Sequence, residues 1–286
     1  MRRIAASGLS YLELVTWLLR RIRLADGGAG VWEAADLQWW WRTPRQTDHI
    51  GQAFWLDDRG PVAALLLTQW GRRWDLDPIL SPELGDGERD RVWEEGLAWL
   101  DSFSRERVEV LAREDDPALT DRLIGAGFAP TGEGGAEAWM DAGDRPPMPA
   151  LPDGYRLVDR TQTLARPHHM IGRSGPEVEA RLRQTSMYDP QLDLAVEAPD
   201  GEIAGYGMFW RDPVTRVGMV EPMRTEDRHQ RRGLARAVLA AGLERLAARG
   251  ARRLKISYES PVARDLYLSS GFRTASTSRT YARDRS

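Results

Sequence analysis

The sequence predicts a mixed α/β protein, with a mixed sheet in each of two similar domains. Segments of the first half recur in the second half at nearly constant offsets: residues 108–110 and 254–256 lie 146 positions apart, and Gly127 and Gly271 lie 144 apart. Such self-similarity indicates a duplicated fold. Residues 142–152 contain four prolines, which helix interiors and central strands do not tolerate. The predicted bounds are therefore 1–144 for the first domain, 145–152 for a proline-rich linker and 153–286 for the second domain.

The order of the predicted elements is clearest in the second half. Short alternating or β-branched segments predict strands, and apolar residues at helical spacing, followed by a glycine, predict a helix and its end. In chain order these are strands at 155–160, 192–198, 203–211 and 217–223, a helix from 234 to Gly250, a strand at 253–259, a helix at 262–269 and a strand at 274–282. The first half repeats this order less clearly.

Composition narrows the class of protein. Of the 286 residues, 42% are hydrophobic and 29% are charged, an ordinary balance for a globular protein with a core. The absence of cysteine excludes disulfides, thiolate metal sites and a cysteine nucleophile. Charged residues interrupt the apolar stretch between Leu9 and Leu24, which favours an amphipathic helix over an export signal. No segment is apolar enough to span a membrane, and we expect a cytoplasmic protein without a membrane partner.

The charges are unevenly distributed. Up to residue 144 the chain has 16 basic and 26 acidic residues, and after it 24 basic and 17 acidic ones. This asymmetry suits either an anionic ligand at the second half and a cationic one at the first, or attraction between the two domains. Basic residues are dispersed, so we expect no nucleic-acid partner. His49, His168, His169 and His229 lack the spacing of metal ligands. The adjacent His168 and His169 could touch substrate, but we interpret all four as surface-loop residues and expect no metal.

One segment has the features of a phosphate site. A strand that ends near Met223 leads through a loop into residues 230–235, where an amphipathic helix begins. Backbone N–H groups at a helix start bind anions, and small residues at Gly233 and Ala235 would let a pyrophosphate approach the backbone. Arg231 and Arg232 add positive charge.

This segment resembles a known motif. Gln230, Gly233 and Ala235 match the (Gln/Arg)-x-x-Gly-x-(Gly/Ala) loop of the GNAT N-acetyltransferase superfamily. A second segment resembles that family's Asn-x-x-Ala-x-x-Leu-Tyr-x-x-x-Gly-Phe helix, through Ser260, Ala263, Leu266, Tyr267, Gly271 and Phe272. The resemblance covers about 155–283. With the internal repeat, it indicates a tandem-domain member with a degenerate N-terminal copy, a layout shared by several bacterial transferases.

The resemblance implies an acyl-CoA N-acyltransferase that uses acetyl-CoA as co-substrate and acetylates a primary amine directly in a ternary complex. Glu221 would deprotonate the amine, and Tyr267 would protonate the departing thiolate. The residues implied in coenzyme binding are Met223, Arg224 and Thr225 for the pantetheine arm, Gln230, Arg231, Arg232, Gly233, Leu234 and Ala235 for the pyrophosphate, and Ser260 and Ala263 near the thiol. Ser260 stands where the family has asparagine, and residues 225–227 where Val-x-Pro is common.

Several interpretations remain open at the level of sequence. Glu221 could be a carboxylate on an exposed strand face, and Tyr267 could be a core residue. The domain could be a catalytically silent coenzyme sensor, or a transferase for a longer acyl chain or a hydroxyl acceptor. The acceptor is expected to be a small molecule, and the protein a monomer or a homodimer.

The first half lacks the residues of this chemistry. By the repeat offset, Leu123 stands at the tyrosine position and Asp116 at the asparagine position, while residues 82–88 are acidic where the loop should be basic. We expect no coenzyme there. Eleven of the twelve tryptophans lie in this half. Residues 39–41 are all tryptophan and cannot all face the core from one helix. We therefore expect at least one of them to be exposed or to line an interdomain surface, as part of an acceptor pocket or a cation–π site. Packing between the two domains is the alternative.

Overall fold

The computed structural model describes residues 1–103 and 107–284. The helices, labelled in chain order, are α1 Gly8–Ala25, α2 Ala34–Trp40, α3 Asp86–Asp101, α4 Pro117–Gly125, α5 Ile171–Ser174, α6 Val178–Leu182, α7 Leu234–Ala248 and α8 Pro261–Ser269. The strands are β1 Arg2–Ala6, β2 Gln52–Asp57, β3 Gly60–Trp70, β4 Arg73–Leu80, β5 Arg107–Arg113, β6 Ala129–Asp141, β7 Arg156–Asp159, β8 Asp193–Glu197, β9 Ile203–Arg211, β10 Val217–Thr225, β11 Arg253–Tyr258 and β12 Arg273–Asp284. Short 3-10 turns lie at Gln46–His49, Ala142–Asp144, Arg160–Gln162 and Asp227–His229. Among the described helices, none is long and apolar enough to cross a membrane.

The predicted mixed α/β class is confirmed, as is the order of elements in the second half. Each predicted strand and helix there differs from the observed one by a few residues at its ends. The apolar stretch near the N-terminus is helix α1, whose buried side chains include Leu12, Val15 and Leu19. It is therefore the amphipathic helix that the interrupting charges predict.

The chain forms two compact units. Unit 1 comprises Met1–Leu37, Pro44–Gly135 and Ser276–Ser286, and unit 2 comprises Gln38–Thr43 and Ala136–Ala275. Each unit combines segments from both halves of the sequence. The two units therefore do not coincide with the two predicted domains, which meet at the proline-rich linker. The predicted domain bounds describe the sequence repeat and stay a prediction.

Both units have the same strand plan. In unit 1 the strands β1, β2, β3 and β4 pair antiparallel in succession, and β5 pairs parallel to β4 and antiparallel to β12. In unit 2 the strands β7, β8, β9 and β10 pair antiparallel in succession, and β11 pairs parallel to β10 and antiparallel to β6. The last strand of each sequence half thus completes the unit built mainly from the other half. The helix that follows the fourth strand, α3 or α7, packs on the sheet of its own unit.

A glycine at the same place in each repeat lets this helix approach its sheet closely. A Cβ on Gly96 of α3 would lie 2.3 Å from a methyl carbon of Leu65, and a Cβ on Gly242 of α7 would lie 2.1 Å from the ring of Phe209. Phe209 is almost fully buried in the core of unit 2, so its ring has no room to retreat.

We expect Gly242→Ala to lower the free energy of unfolding by about 1–3 kcal/mol, because overpacking outweighs the better helix propensity of alanine. Urea unfolding measures this. The double variant with Phe209→Leu should lose less than the sum of the single losses, since the smaller side chain relieves the clash. Gly87→Ala is the control: a Cβ at Gly87 meets nothing within 4 Å, so its effect should be neutral or stabilising. Additive losses in the double variant would contradict the packing argument.

Unit 1 contains a buried acid on strand β4. Asp77 is only 4% exposed, and the indole N–H of Trp32 donates to its Oδ1 over 3.0 Å. Burial, with a further contribution from Asp75, raises the pKa of Asp77 to about 8. The ordinary value is about 3.9. Between about pH 4 and pH 8 the folded protein therefore keeps a proton on Asp77 that the unfolded chain has already lost.

Stability should therefore fall as the pH rises through this window, because the folded state binds the additional proton. Asp77→Asn mimics the protonated acid and should remove this dependence. We expect the variant to exceed the wild type in free energy of unfolding by more than about 1 kcal/mol at pH 8.5, where one pKa unit corresponds to about 1.4 kcal/mol. Urea unfolding at pH 5 and 8.5 tests it, with the exposed Asp58→Asn as control. Parallel pH curves for Asp77→Asn and wild type would refute it.

Candidate active site

Strands β10 and β11 diverge and leave a cleft in unit 2. Their parallel pairing runs from Val217 opposite Arg253 to Met219 opposite Lys255. Strand β10 continues to Thr225, whereas β11 continues to Tyr258 paired with β6 on its other side. The pairing of β10 with β9 has a bulge between Val220 and Met223, and bulges bend a strand away from its neighbours. The cleft begins at this bulge.

Backbone N–H groups face this cleft. The N–H of Glu226 donates to the carbonyl of Ala204 over 2.9 Å, and Arg224 lies opposite Tyr206 in the same register. Along antiparallel strands, residue pairs that are hydrogen-bonded to each other alternate with pairs that are not. Arg224, two residues before Glu226, therefore directs its backbone N–H and C=O toward β9. Met223 and Thr225, which alternate with these positions, direct theirs away from β9 and into the cleft.

The loop before α7 has an unusual backbone. Arg231 has φ +62° and Gly233 has φ +79°, both in the left-handed region, and such a run directs successive N–H groups into a concavity. Gly233 is the N-cap of α7 and gives no side-chain cap. The first helical bond joins the N–H of Ala237 to the carbonyl of Gly233 over 3.1 Å. The N–H groups of residues 234–236 therefore have no carbonyl partner within the helix, and a Cβ on Gly233 would enter open space.

The charges around this helix start favour an anion. Arg231 and Arg232 are exposed, and neither has a carboxylate within ion-pair distance among the described residues. The side chain of Gln230 donates to Asp227 over 3.0 Å, and Asp227 also lies 3.4 Å from the guanidinium of Arg224. Gln230 thus ties the loop to the residues before it, while the two arginines remain available. Leu234 is buried and Ala235 half-buried, which anchors the first turn.

The corresponding loop of the first half is closed to an anion. The carboxylate of Glu88, in the first turn of α3, accepts from the N–H of Gly85 over 3.2 Å. Glu83 pairs with Arg21 at 2.7 Å. Leu123, at the tyrosine position, is completely buried. These observations agree with the prediction of a degenerate copy without coenzyme, which itself stays a prediction.

Helix α8 follows the cleft and begins at Ser260. The hydroxyl oxygen of Ser260 accepts from the N–H of Ala263 over 3.2 Å and caps the helix. Asp116 caps α4 in the same way through the N–H of Leu119, at 3.0 Å. Ser260 therefore has its hydroxyl proton left to donate, while its oxygen serves the helix. Ala263 is half-buried against the core.

Glu221 and Tyr267 are close enough to interact electrostatically. Tyr267 is 6% exposed, and its ring packs edge-on against Phe272 with centroids 6.2 Å apart. Burial raises the pKa of the Tyr267 hydroxyl, and the charge of Glu221 raises it further. The phenol is therefore protonated at neutral pH. Glu221 is half-buried, and the indole N–H of Trp210 donates to its carbonyl oxygen over 2.7 Å. Tyr267 thus does pack in the core, and Glu221 does not lie on a fully exposed face.

The interpretation of the histidines as surface-loop residues is wrong for three of the four. Asp193, with no exposed surface, accepts from Nε2 of His168 and from the hydroxyl of Tyr188, both over 2.9 Å. Nε2 of His169 lies 3.2 Å from the other oxygen of Asp193, and the side chain of His169 is only 6% exposed. His229 is also buried, and its Nδ1 bonds to the hydroxyl of Tyr155 over 2.9 Å.

Asp193 and the two adjacent histidines form a cluster with the composition of a metal site, since their ligand atoms lie within 4.8 Å of one another. The backbone N–H of Met170 donates to Nδ1 of His168 over 3.1 Å. Nδ1 therefore holds a lone pair, and the proton of the neutral ring is on Nε2, where a metal would need a lone pair. The arrangement instead forms a hydrogen-bonded network around an ionised Asp193. Burial alone would raise the pKa of Asp193, but the bonds from His168 and His169 hold it well below its usual range.

The tryptophan triplet is only partly helical, because α2 ends at Trp40. Trp39 and Trp41 are buried and Trp40 is half-buried. Guanidinium groups stack on two of the rings, that of Arg42 at 3.5 Å from Trp39 and that of Arg181 at 3.7 Å from Trp41. The indole N–H of Trp41 also donates to Gln184 over 2.8 Å. Both arginines belong to the same unit as the tryptophans, and an acceptor site at the triplet stays a prediction.

Two features of unit 2 were not predicted from the sequence. One is the hydrogen-bond network around Asp193. The sequence feature that could have indicated it is an acidic residue within the otherwise apolar strand β8. The other is the segment Gln38–Thr43, which comes from the first half of the chain and bonds to residues of the second half. Gln38, for example, donates to the hydroxyl of Ser186 over 2.9 Å. No periodicity in this segment predicts those partners.

Comparison with known proteins identifies the fold and the family of the second half. Residues 160–272 match the acetyltransferase (GNAT) family model. A tandem GNAT protein from the clavulanic acid biosynthesis pathway has a similar structure, with a TM-score of 0.71, 14% identity and coverage of 99% of this chain and 98% of that one. A GCN5-related N-acetyltransferase from Sphaerobacter thermophilus has a TM-score of 0.63 at 16% identity, with 99% and 95% covered. An acetyltransferase of the GNAT family from Colwellia psychrerythraea has a TM-score of 0.62 at 12% identity, with both chains fully covered at 100%.

No protein of curated function matches the chain. At these identities the solved structures establish the fold alone. Residues 160–272 thus match the acetyltransferase (GNAT) family model, and the whole chain has the fold of a tandem GNAT protein. The family resemblance and the fold predicted from sequence are confirmed.

Proposed function

We propose that unit 2 transfers the acetyl group of acetyl-CoA to the primary amine of a small molecule, by direct attack within a ternary complex. The observation that carries this proposal is the presence of two sets of backbone donors, one along the end of β10 and one at the start of α7, where the surroundings suit an anion. The first set is the N–H groups of Met223 and Thr225, which face the cleft, and the second is those of residues 234–236. A long ligand that is amide-like at one end and a pyrophosphate at the other fits this sequence of donors.

The coenzyme would lie along strand β10. Met223, Arg224 and Thr225 would bind the pantetheine arm as an added strand. The pyrophosphate would bind the helix start, through Gln230, Arg231, Arg232, Gly233, Leu234 and Ala235. Ser260 and Ala263 would flank the arm near the thiol, where the hydroxyl proton of Ser260 supplies a shorter donor than the asparagine usual in the family.

Glu221 would be the base. An alkylammonium of pKa about 10 is nearly all protonated at neutral pH, and only its free base attacks a thioester. Glu221 takes one proton from the ammonium, and the amine nitrogen then bonds to the carbonyl carbon. The N–H of Met223 stabilises the developing oxyanion, a contribution that can reach about 3 kcal/mol.

Tyr267 would be the acid. The C–S bond breaks, the sulfur takes the proton of the Tyr267 hydroxyl, and the second proton of the nitrogen returns to the Tyr267 oxygen. Glu221 then releases the first proton to solvent. In sum, an ammonium and a thioester become an amide, a thiol and one proton released to solvent. Burial and Glu221 keep Tyr267 protonated until this step.

The test is release of the coenzyme thiol from acetyl-CoA with a panel of primary amines. The chain has no cysteine, so a thiol reagent reports only coenzyme. We expect turnover with at least one amine and an acetylated product by mass spectrometry. Binding of acetyl-CoA without turnover of any amine would favour a silent coenzyme sensor. Faster turnover with a longer acyl-CoA would indicate a transferase for longer acyl chains, and turnover with an alcohol would indicate a hydroxyl acceptor.

Gly233→Asp tests the phosphate loop. Aspartate tolerates the left-handed region and is a good N-cap, so the helix should stay formed, yet its charge repels a pyrophosphate. We expect the KM for acetyl-CoA to rise more than about tenfold, an effect of roughly 1.4 kcal/mol. Gly233→Asn is the neutral control and should lose less. Equal effects of Asp and Asn would remove the electrostatic argument.

A further inference from the structure

Unit 1 encloses a cavity of about 310 Å³ that the proposed chemistry does not use. Its walls come from α1, the ends of β4 and β5, the first turns of α3 and α4, and the segment 26–32. A volume near 300 Å³ is at the lower end of the range for ligand sites.

The cavity occupies the place in unit 1 that the cleft occupies in unit 2. Strands β4 and β5 correspond to β10 and β11, and their parallel pairing is limited to Asp75 opposite Glu109. Beyond it they diverge, and Ile79 and Leu80 of β4 face the cavity together with Leu111 of β5. The degenerate copy has therefore kept the cleft and lost the phosphate loop.

A nucleotide coenzyme does not suit this cavity. The start of α3 is capped by the carboxylate of Glu88, and Asp86 adds a second acid in the same turn. A ligand here must lack a pyrophosphate, because Glu88 takes the N–H of Gly85 and both acids repel phosphate at the helix start.

The segment 26–32 lines the cavity, and two of its hydrogen bonds reach side chains of β4 and β5. The guanidinium of Arg113 donates to the carbonyl of Gly28, and Trp32 donates to Asp77 over 3.0 Å. Trp32 and Trp93 both line the cavity. Flat aromatic walls with apolar strand residues between them favour an apolar body in the ligand.

The charged lining residues favour an acid. Arg113 pairs with Asp115 at 2.6 Å and Arg122 with Asp90 at 2.6 Å. Arg89 donates to the carbonyls of Leu84 and Ser81, and no carboxylate of the described residues lies within ion-pair distance of it. Arg89 is half-buried, whereas the lining acids Asp26, Asp115 and Asp116 are exposed. Arg89 is thus less solvated than the lining acids, and without a carboxylate partner in the described part of the chain it is the lining arginine that can receive an acid.

We propose that unit 1 binds a small organic carboxylate with an apolar body, its carboxylate on Arg89 and its body between Trp32 and Trp93. At roughly 30 Å³ for each water-sized group, the ligand has about ten non-hydrogen atoms. The degenerate copy is then a binding domain for a second ligand that is unrelated to the coenzyme.

The experiment uses the full-length protein and isothermal titration with three probes of one shape: 3-phenylpropionate, its neutral amide and 3-phenylpropylamine. We expect saturable binding of the acid at least about tenfold tighter than that of the amide, as for loss of a charge-assisted bond, and the weakest binding for the amine. Arg89→Met should abolish the preference for the acid while the amide still binds. Arg91→Met, on an exposed arginine of the same helix that pairs with Glu95, should change nothing.

Two further measurements keep the proposal falsifiable. Ala118→Phe fills the mouth of the cavity from an exposed position of α4, and should abolish binding of acid and amide together. Acetyl-CoA should not compete with the acid. Failure of all three probes to bind, a preference for the amine, an unchanged preference in Arg89→Met, or displacement by acetyl-CoA would each overturn the proposal. None of these readouts depends on acetyl transfer by unit 2.

Discussion

Replacement of Glu221 by glutamine should lower kcat by about 10² to 10⁴ at neutral pH, the range that a positioned general base contributes. Glutamine has the same size and cannot accept the proton of the ammonium. The fold should be retained, because the backbone carbonyl of residue 221, which accepts from Trp210, is unchanged by the substitution. The measurement is steady-state thiol release with the best amine of the panel, with KM for acetyl-CoA recorded beside kcat.

The pH profile separates loss of a base from general damage. Without Glu221 the reaction depends on amine already deprotonated in solution. The rate of Glu221→Gln should therefore rise about tenfold per pH unit toward the amine pKa near 10. The wild type should vary less over the same range. A parallel loss at every pH would assign Glu221 to structure rather than to proton transfer.

Glu202→Gln is the matched control. Glu202 is a carboxylate of the same unit that pairs with Arg228 at 2.6 Å and lies outside the cleft residues. Its replacement should leave kcat within a factor of about two, since surface ion pairs contribute little. Retention of more than a third of the activity by Glu221→Gln would contradict the proposed role.

Tyr267→Phe gives an independent view of the same step. Because Glu221 and Tyr267 interact electrostatically, the two substitutions should not be additive, and the double variant should lose less than the product of the single losses. Multiplicative losses would mean that the two residues act separately.

Most of unit 2 could be predicted from sequence because its signals are local. Alternation along residues 203–211 and helical spacing from Leu234 to Leu246 define a buried face without reference to any partner. The structure has strand β9 and helix α7 at these places. The loop of residues 230–235 is also local, since Gly233 is both a motif residue and a left-handed helix cap.

The exchange of the last strands could not be predicted in this way. A period of two reveals that β6 and β12 each have a buried face, but not which strand they pair with. The repeat makes the choice harder, because β5 and β11 occupy equivalent positions and present similar edges. The partner is decided by the whole fold, as with β12 against β5 and β6 against β11.

The network around Asp193 could not be predicted from the sequence for a related reason. Asp193 lies 25 residues from His168, and nothing in a spacing rule connects them. Strand alternation places the side chain of Asp193 on the face opposite to that of Leu194, which packs in the core with α7. A single acid in an otherwise apolar strand is the local signal of such a network, since a buried carboxylate requires nearby donors.

Removal of this carboxylate should have the largest effect on folding. In Asp193→Ala, the buried ring N–H of His168 and the hydroxyl of Tyr188 lose their acceptor, and His169 loses its carboxylate. Each buried donor that loses its acceptor typically costs about 1 to 3 kcal/mol, so the two together should cost about 2 to 6 kcal/mol. Asp193→Asn keeps an acceptor oxygen for His168 and Tyr188 and should lose less. Asp200→Ala is the control, because Asp200 is exposed in the turn after β8 and accepts from the backbone N–H of Glu202 over 3.1 Å.

The effect should be confined to unit 2 and should depend on pH in a defined direction. Hydrogen exchange resolved by peptide should show faster exchange in β8 and β9 of Asp193→Ala, and unchanged exchange in β3 and β4. The pKa of Asp193 is lowered in the folded state, so its stabilisation is present above the unfolded pKa of about 3.9 and is lost as the pH falls through the folded value. The difference between wild type and Asp193→Asn should therefore be full at pH 7 and shrink in strong acid. A loss below about 1 kcal/mol in Asp193→Ala, under the typical cost of leaving two buried donors without an acceptor, would show that the histidines and Tyr188 find other partners, and that Asp193 does not organise this face of the sheet.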